Sequence, residues 1–224
     1  MRLATSSEPA DWIPALLHDF AVDVGSFIPD VFESYARILH PPGRLAADES
    51  VLDVRWADIA AANGRSVDDE VLHVDISGEP SRVGPSGEEL WNQHPRTGSL
   101  SPEIVERLIQ TLGSHTTTPD HCWFGVWNGW GALRESIRGA PMFSVPGRDV
   151  FLLEGSVTDA LITLEGINWC FQSAMLWWPD DRAWCVSTEI DFSWTYVGGS
   201  QNCIAEVLND PLLEAQLVTP GTIR

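Results

Sequence analysis

The sequence contains no lysine, so each of its 13 basic side chains is an arginine, and these face 32 aspartates and glutamates. The resulting formal net charge of -19 repels phosphate backbones and anionic lipid surfaces. We therefore expect no binding to nucleic acid or to a membrane through a basic patch. Both halves of the chain are acidic, which is typical of a solvated globular surface and leaves open a surface that attracts a basic protein.

Motifs that would commit the chain to a reaction are also lacking. The sequence has no Gly-x-Ser-x-Gly, no Gly-Lys-Ser of a phosphate-binding loop, no Gly-x-Gly-x-x-Gly after a strand and no His-Glu-x-x-His. It also lacks an apolar run of signal-peptide length near Met1 and any membrane-spanning run. We predict a soluble, cytoplasmic protein without an identifiable catalytic residue.

Cysteine is scarce, and the four cysteines are far apart in apolar or aromatic surroundings: Cys122, Cys170, Cys185 and Cys203. No close Cys-x-x-Cys or His-x-x-x-His pair provides the spacing of a zinc site. This pattern predicts buried, reduced thiols rather than a disulfide framework. We expect neither a bound metal nor a cofactor.

Tryptophan, in contrast, is abundant, and eight of the 11 tryptophans lie between Trp123 and Trp194. Short aromatic and β-branched runs in this half, bounded by Gly, Pro, Asn and Asp, are typical of strands. The predicted strands are Cys122 to Trp127, Val150 to Leu153, Ala174 to Trp178 and Ala183 to Ile190. The fold class that follows is α+β, with a mostly antiparallel sheet from the tryptophan-rich C-terminal half and helices packed on one side.

The N-terminal half carries most of the helical patterns. The predicted helices are Trp12 to Val24, Asp53 to Ala62, Ser101 to Leu112 and Ser200 to Leu208, with one or two helical turns within Val157 to Leu164. The segment Phe27 to Leu39 has mixed periodicity, and we favour a strand. Residues 65–96 are rich in Asp, Glu, Ser, Gly and Pro and predict an irregular surface excursion. We find no convincing linker and expect one globular domain over residues 1–224.

Several segments resemble a family of uncharacterised actinobacterial proteins. They are FIPDVFESYARILHP (27–41), HCWFGVWNGWG (121–131), GRDVFLLEG (147–155), WWPDDRAWCVSTEIDFSWTYVGGS (177–200) and DPLLEA (210–215). The resemblance implies a cytoplasmic bacterial protein and brings no activity with it. The phrase VWNGWG is also similar to the Asn-Gly turn of the SUKH group, which includes immunity proteins against secreted toxins.

The string Trp177-Trp178-Pro179-Asp180-Asp181-Arg182 is a candidate binding wall. Alternation along a strand places the two indoles on opposite faces, so that one of them is available for stacking beside Asp181 and Arg182. The alternative is purely structural. In that case an aspartate caps the turn, Arg182 pairs with Asp181 or Glu189, and both indoles are covered.

Two further pairs are candidates for the same site. Glu189 and Asp191 are two residues apart, so a strand would point both carboxylates to the same face. They are therefore either a carboxylate pair for acid/base chemistry or part of a solvated face. Trp127 and Trp130 flank an Asn-Gly turn and provide either a stacking platform or simple packing.

The first hypothesis is therefore a non-enzymatic interaction module that binds a basic protein, in its sharpest form an immunity-like protein. The alternative is a small-molecule-binding protein or hydrolase with a pocket near Trp178, Asp181, Arg182, Glu189 and Asp191.

Overall fold

The computed structural model describes residues 1–68, 70–77, 89–166 and 171–223. Its strands are β1 (Arg2–Leu3), β2 (Ser34–Leu39), β3 (Gly43–Leu45), β4 (Val51–Asp53), β5 (Cys122–Trp127), β6 (Met142–Val145), β7 (Arg148–Gly155), β8 (Leu176–Pro179), β9 (Cys185–Ser187), β10 (Trp194–Gly199) and β11 (Ala215–Val218). The α-helices are α1 (Trp56–Ala62), α2 (His73–Ser77), α3 (Pro102–Ser114) and α4 (Gln201–Asn209). Short 3-10 helices occupy Glu8–Ala10, Pro14–Leu16, Val24–Ser26, Glu135–Gly139 and Val157–Leu161.

Nine of these strands form one sheet in the order β1-β7-β5-β8-β9-β10-β2-β11, and β6 pairs with β7 beyond the end of β1. Each pairing in it is antiparallel. Strands β3 and β4 form a separate hairpin. Seven of the nine strands follow Cys122, so the α+β class and the antiparallel sheet built largely from the C-terminal half are confirmed.

The two faces of the sheet bury separate cores because side chains alternate along each strand. One core contains Phe124 and Trp177 and is covered by α3 and α4, the two longest helices. The other contains Trp123 and Trp178 and is covered by the 3-10 turns of the N-terminal segment and by α1. The longer helices thus lie on one side as predicted, and short helical turns cover the opposite side.

Both cores are built on contacts between aromatic rings. Trp177 lies 6.4 Å from Phe124 and 5.2 Å from Trp184, measured between ring centroids. On the other face, Trp178 lies 6.1 Å from Trp12. Rings of this size bury more apolar area than any other side chain, which explains how a chain with so much negative charge still folds.

The helices begin and end largely where the sequence predicts. Ser101 and Ser200 cap α3 and α4 by accepting hydrogen bonds from the backbone N–H groups of Ile104 and Cys203. Within the described ranges, no helix has both the length and the apolar character that crossing a bilayer requires.

The predicted helix over Trp12 to Val24 is wrong. The chain forms one 3-10 turn, Pro14–Leu16, and then a loop in which the N–H of His18 donates to the carbonyl of Gly25. Asp23 and Ser26 bind each other's backbone N–H groups as a capping box around the next turn. Such side-chain to backbone bonds compete with a helix, which is why apolar spacing alone misleads here.

His18 ties this loop together, and we predict that its contribution to stability depends on pH. Its Nδ1 lies 2.9 Å from Asp23 and its Nε2 lies 3.2 Å from Asp30. The hydrogen bond with Asp23, followed by that with Asp30, raises the pKa of His18 above its ordinary value of 6.5. The stabilisation is therefore complete below pH 6.5 and is lost as pH rises through the higher folded-state pKa.

The check is His18→Gln, compared with the unsubstituted chain by urea unfolding at pH 5.5 and pH 8.5. Because the pair is part-exposed, the difference at the lower pH should be on the order of 1 kcal/mol or less. It should shrink at the higher pH. An equal difference at both values would show that protonation of His18 does not stabilise the loop.

Other sequence expectations meet mixed outcomes. Within Phe27 to Leu39 the strand is confirmed over Ser34–Leu39, and the residues before it form a loop whose carbonyl and N–H groups bind the Tyr35 hydroxyl.

The excursion over 65–96 contains the short helix α2, and His73 and Trp91 of this region are buried. Residues 69 and 78–88 lie outside the described residues.

Three of the four thiols are buried and reduced as predicted: Cys122, Cys185 and Cys203. Burial raises the pKa of Cys122 and of Cys203 to about 12 and also raises that of Cys185. Protonated thiols in a packed core are poor nucleophiles and poor metal ligands. Cys170 lies outside the described residues.

Candidate functional site

The turn between β8 and β9 is held by Asp181. Its carboxylate accepts hydrogen bonds from the Thr116 hydroxyl, from the N–H and hydroxyl of Thr117, and from the N–H of Ala183, at 2.7 to 3.1 Å. Burial opposes ionisation, but the bonds from the two threonines lower the pKa of Asp181 below its ordinary value. Asp181 thus fastens the turn to the start of the loop after α3, and its hydrogen-bonding capacity is largely used there.

Arg182 and the indoles of Trp177 and Trp178 also have structural roles. Arg182 takes a left-handed backbone conformation, with φ of 55°, and its guanidinium lies 5.3 Å from the ring centroid of Trp12. Trp178 is fully buried and Trp177 is 1% exposed. The expectation that one indole is available for stacking on a ligand is therefore corrected, because short N-terminal turns cover the face on which Trp178 lies.

Glu189 and Asp191 do face a common group, which is Arg148. Its Nη2 lies 2.5 Å from Glu189 and 3.4 Å from Asp191. The guanidinium also lies 5.6 Å from the ring centroid of Trp127, and Trp127 meets Trp130 edge to face at 5.5 Å. A guanidinium in contact with both carboxylates is typical of a structural ion pair rather than of an acid/base pair.

The seven predicted site residues do not form one pocket. Pro179 at the end of β8 pairs with Cys122, at the start of β5, whereas Leu176 pairs with Ser187 of β9. Asp181 and Arg182 therefore lie at one end of the sheet, and Glu189, Asp191 and Trp127 lie at the other end. A four-residue strand separates the two groups by at least about 10 Å. Trp178, Asp181, Arg182, Glu189 and Asp191 therefore do not line a common pocket, and the prediction of a pocket near them is wrong.

A groove that the sequence analysis missed offers a better binding surface. It has a volume of about 440 Å³ and lies where the end of β2, the residues before α1, the first turns of α3 and the residues before β11 meet. Its apolar lining is Leu39, Pro41, Val54, Ile104, Leu212 and Leu213, and its charged lining is Asp53, Arg55, Glu103, Glu106, Arg107 and Glu214. Leu212 is 70% exposed at this groove, so its side chain is accessible to a partner.

The two arginines of the groove are already engaged. Arg107 pairs with Asp210 through Nε and Nη2, at 2.9 and 2.8 Å, and Arg55 donates to the carbonyls of Pro211 and Leu213. In the part of the chain that the structure describes, no ion pair engages Asp53, Glu103 or Glu106. The lining therefore carries four carboxyl groups against two guanidiniums, and one of these, that of Arg107, is paired with Asp210 outside the lining.

The pKa values of two groove carboxyls reflect this environment. Burial, followed by the charge of Glu103, raises the pKa of Asp53. Burial also raises the pKa of Glu214, although that carboxylate accepts hydrogen bonds from the N–H groups of Trp56 and Ala57 at the start of α1. Both carboxyls would be stabilised in the ionised form by a cation placed in the groove.

Sequence reasoning missed this groove because its walls come from four distant segments. The periodicity of α3 places Glu103 and Glu106 outside its apolar stripe. An acidic side chain in the first turn is stabilised by the positive end of the helix dipole, which accounts for Glu103 but not for Glu106. Nothing in the sequence indicates that Asp53 and Leu212 pack beside that helix.

Among the side chains that the structure describes, no group of three His, Cys, Asp or Glu residues is arranged to hold a metal ion. Comparison of the chain with protein-family models, with curated proteins and with solved structures gives no match. The functional inference therefore depends on the geometry and charge of the chain itself.

Proposed function

We propose that this chain is a non-enzymatic, cytoplasmic interaction protein that binds a basic segment of another protein in the groove defined above. The observation that carries the proposal is the combination, in one cavity, of an apolar lining with three carboxylates that no ion pair among the described residues engages, those of Asp53, Glu103 and Glu106. An immunity-like role, in which the basic partner is a toxin, is the most specific form of this proposal.

The chemistry of the groove selects an arginine or lysine side chain. The aliphatic stem of such a side chain packs on apolar residues such as Leu212 and Ile104, while its charged head reaches the carboxylates of Asp53, Glu103 and Glu106. Because part of the groove is apolar, a segment that alternates basic and aliphatic residues fits it better than a purely basic one.

The charge of the whole chain supports the same partner. A net charge of -19 accelerates the encounter with a basic protein and makes the association sensitive to salt. The raised pKa values of Asp53 and Glu214 add a dependence on pH, because these carboxyls become protonated as pH falls and then attract a cation less. Binding should therefore weaken towards acidic pH.

The proposal predicts that Glu103→Gln combined with Glu106→Gln weakens the binding of a basic peptide about tenfold. Two charge contacts of somewhat less than 1 kcal/mol each correspond to that factor. The measurement is calorimetric titration with a synthetic peptide of alternating arginine and leucine at low and high salt. The matched control is Glu8→Gln combined with Asp11→Asn, which also removes two negative charges, but from residues that do not line the groove.

The same three proteins should then be used as bait in an extract of the native cell at both salt concentrations. We expect the chain and its charge-matched control to retain a common basic protein at low salt, and the groove variant to lose it. Recovery of no partner at either salt, or equal recovery by all three baits, would rule out the groove as the binding surface.

A further inference from the structure

Strand β11 forms one end of the large sheet. It pairs with β2 along one side, from Ala215 opposite Ile38 to Val218 opposite Tyr35. Among the residues that the structure describes, no strand pairs with its second side, which is therefore a free edge. A free edge presents a row of backbone N–H and C=O groups to which a further strand can add.

The register of β11 against β2 decides which backbone groups face outward. The N–H of Leu39 donates to the carbonyl of Glu214, so these two residues form a hydrogen-bonded pair of the antiparallel ladder. Such pairs alternate with pairs whose N–H and C=O groups point away from each other. The N–H and C=O groups of Ala215 and Leu217 therefore point away from β2, and no backbone group of a described residue binds them. They are available to an added strand.

Strand β11 lacks the features that usually prevent pairing at a sheet edge. Its sequence, AQLV, contains neither a charged residue nor a proline. Leu217 is 60% exposed and would contact the side chains of an added strand. Arg55 donates to the carbonyls of Pro211 and Leu213, which are therefore occupied. The free part of the edge thus begins at Ala215.

This edge is continuous with the acidic groove. Leu212, Leu213 and Glu214 line the groove and directly precede β11 in the chain. Because a strand advances about 3.3 Å per residue, a segment of about eight residues is long enough to pair with β11 and to reach the groove. One extended segment can therefore use both surfaces.

Charge decides what kind of strand is added. The three groove carboxylates that no described ion pair engages favour a basic segment. A second copy of this chain would bring another net charge of -19 to the same edge, which opposes pairing between copies. A segment that alternates basic and aliphatic residues also has the period of a strand, with its basic side chains on one face and its aliphatic side chains on the other.

We propose that the basic segment bound by this chain is held as an extended strand that adds to the free edge of β11 and continues into the groove. This inference rests on the proposed function and specifies the conformation of the partner. Backbone hydrogen bonds would contribute affinity at the edge, and the groove carboxylates would select for positive charge.

Amide hydrogen exchange, followed by NMR during titration with the alternating arginine and leucine peptide, tests this arrangement directly. In the free chain, the N–H groups of Ala215 and Leu217 should exchange fast. Those of Gln216 and Val218 face β2 and should exchange slowly. Saturation with the peptide should slow exchange at Ala215 and Leu217 at least about tenfold and should leave the other two slow.

Leu217→Pro provides a second test, because proline is tolerated on an edge strand where the N–H faces outward. The variant loses that N–H and should bind the peptide about tenfold more weakly, whereas Leu217→Ala keeps the N–H and should lose about threefold or less. The matched control is Met142→Pro on β6. The N–H of Leu152 donates to the carbonyl of Pro141, so the N–H of Met142 also points away from its neighbouring strand. This control should bind the peptide with unchanged affinity.

Peptide binding that leaves the Ala215 and Leu217 amides unprotected would overturn strand addition and leave the proposed groove binding intact. Absence of peptide binding would refute both. Slow exchange of these amides without peptide, whether constant or rising with protein concentration, would show that the chain itself or a second copy occupies the edge, and would also overturn the proposal. Protection by the peptide, with selective weakening by Leu217→Pro, would establish it. If Glu103→Gln combined with Glu106→Gln then bound equally well, the groove alone would be refuted.

Discussion

Replacing Trp178 with alanine is expected to lower the free energy of unfolding by about 3–5 kcal/mol, the cost of removing a buried aromatic side chain and leaving a cavity. Trp178 is fully buried, and its indole lies 6.1 Å from that of Trp12 and 6.3 Å from the ring of Phe143. It therefore joins the sheet to the N-terminal turns that cover it. Urea unfolding followed by far-ultraviolet circular dichroism provides the measurement.

The matched control is Trp130→Ala, because Trp130 is the same residue type and only partly buried. Its loss should be clearly smaller, since an already hydrated ring leaves little cavity when it is removed. If Trp178 were instead a solvent-facing wall for ligands, Trp178→Ala would leave stability nearly unchanged. That result would also contradict the burial of the second core.

This pair of tryptophans illustrates what the sequence could and could not predict. Period-two alternation correctly places Trp177 and Trp178 on opposite faces of a strand, which is a local property of the chain. Whether the outer face is open or covered depends on a segment more than 150 residues away, namely the turns around Trp12. Local patterns carry no information about that contact.

The distinction between local patterns and distant contacts also explains which helices could be predicted from the sequence. Those with explicit start signals, such as Ser101 followed by Pro102, are confirmed because capping is decided within a few residues. The segment from Trp12 to Val24 has apolar spacing without such a signal, and the bonds of His18, Asp23 and Ser26 decide its conformation instead. Side-chain to backbone competition of this kind is invisible to a hydrophobic pattern.

Candidate sites were harder to predict than elements because they combine residues across the sheet. Adjacency in sequence suggested that Asp181 and Glu189 belong to one pocket, but the register of β8 against β5 and β9 places them at opposite ends. Conversely, Asp53, Glu103 and Glu214 meet in one groove although 50 or more residues separate each from the next. Tertiary packing alone defines that charge pattern.

Gly98→Ala is expected to lower the free energy of unfolding by about 2–5 kcal/mol, the sum of a left-handed conformation that alanine avoids and of an overpacked contact. Gly98 has φ of 69°, and an added Cβ would clash with the carbonyl oxygen of Ile190. That oxygen is backbone, so no rotation of a side chain relieves the contact. The N–H of Gly98 also donates to the carbonyl of Phe192, at 2.9 Å.

Gly64→Ala is the control that separates the two contributions. Gly64 has nearly the same backbone conformation, with φ of 66°, and an added Cβ there would meet no atom within 4 Å. The change should cost only about 1–2 kcal/mol, and the effect of alanine on the unfolded chain is the same in both variants. The difference between them therefore measures the contact with Ile190. Equal losses would show that the backbone near Ile190 yields freely.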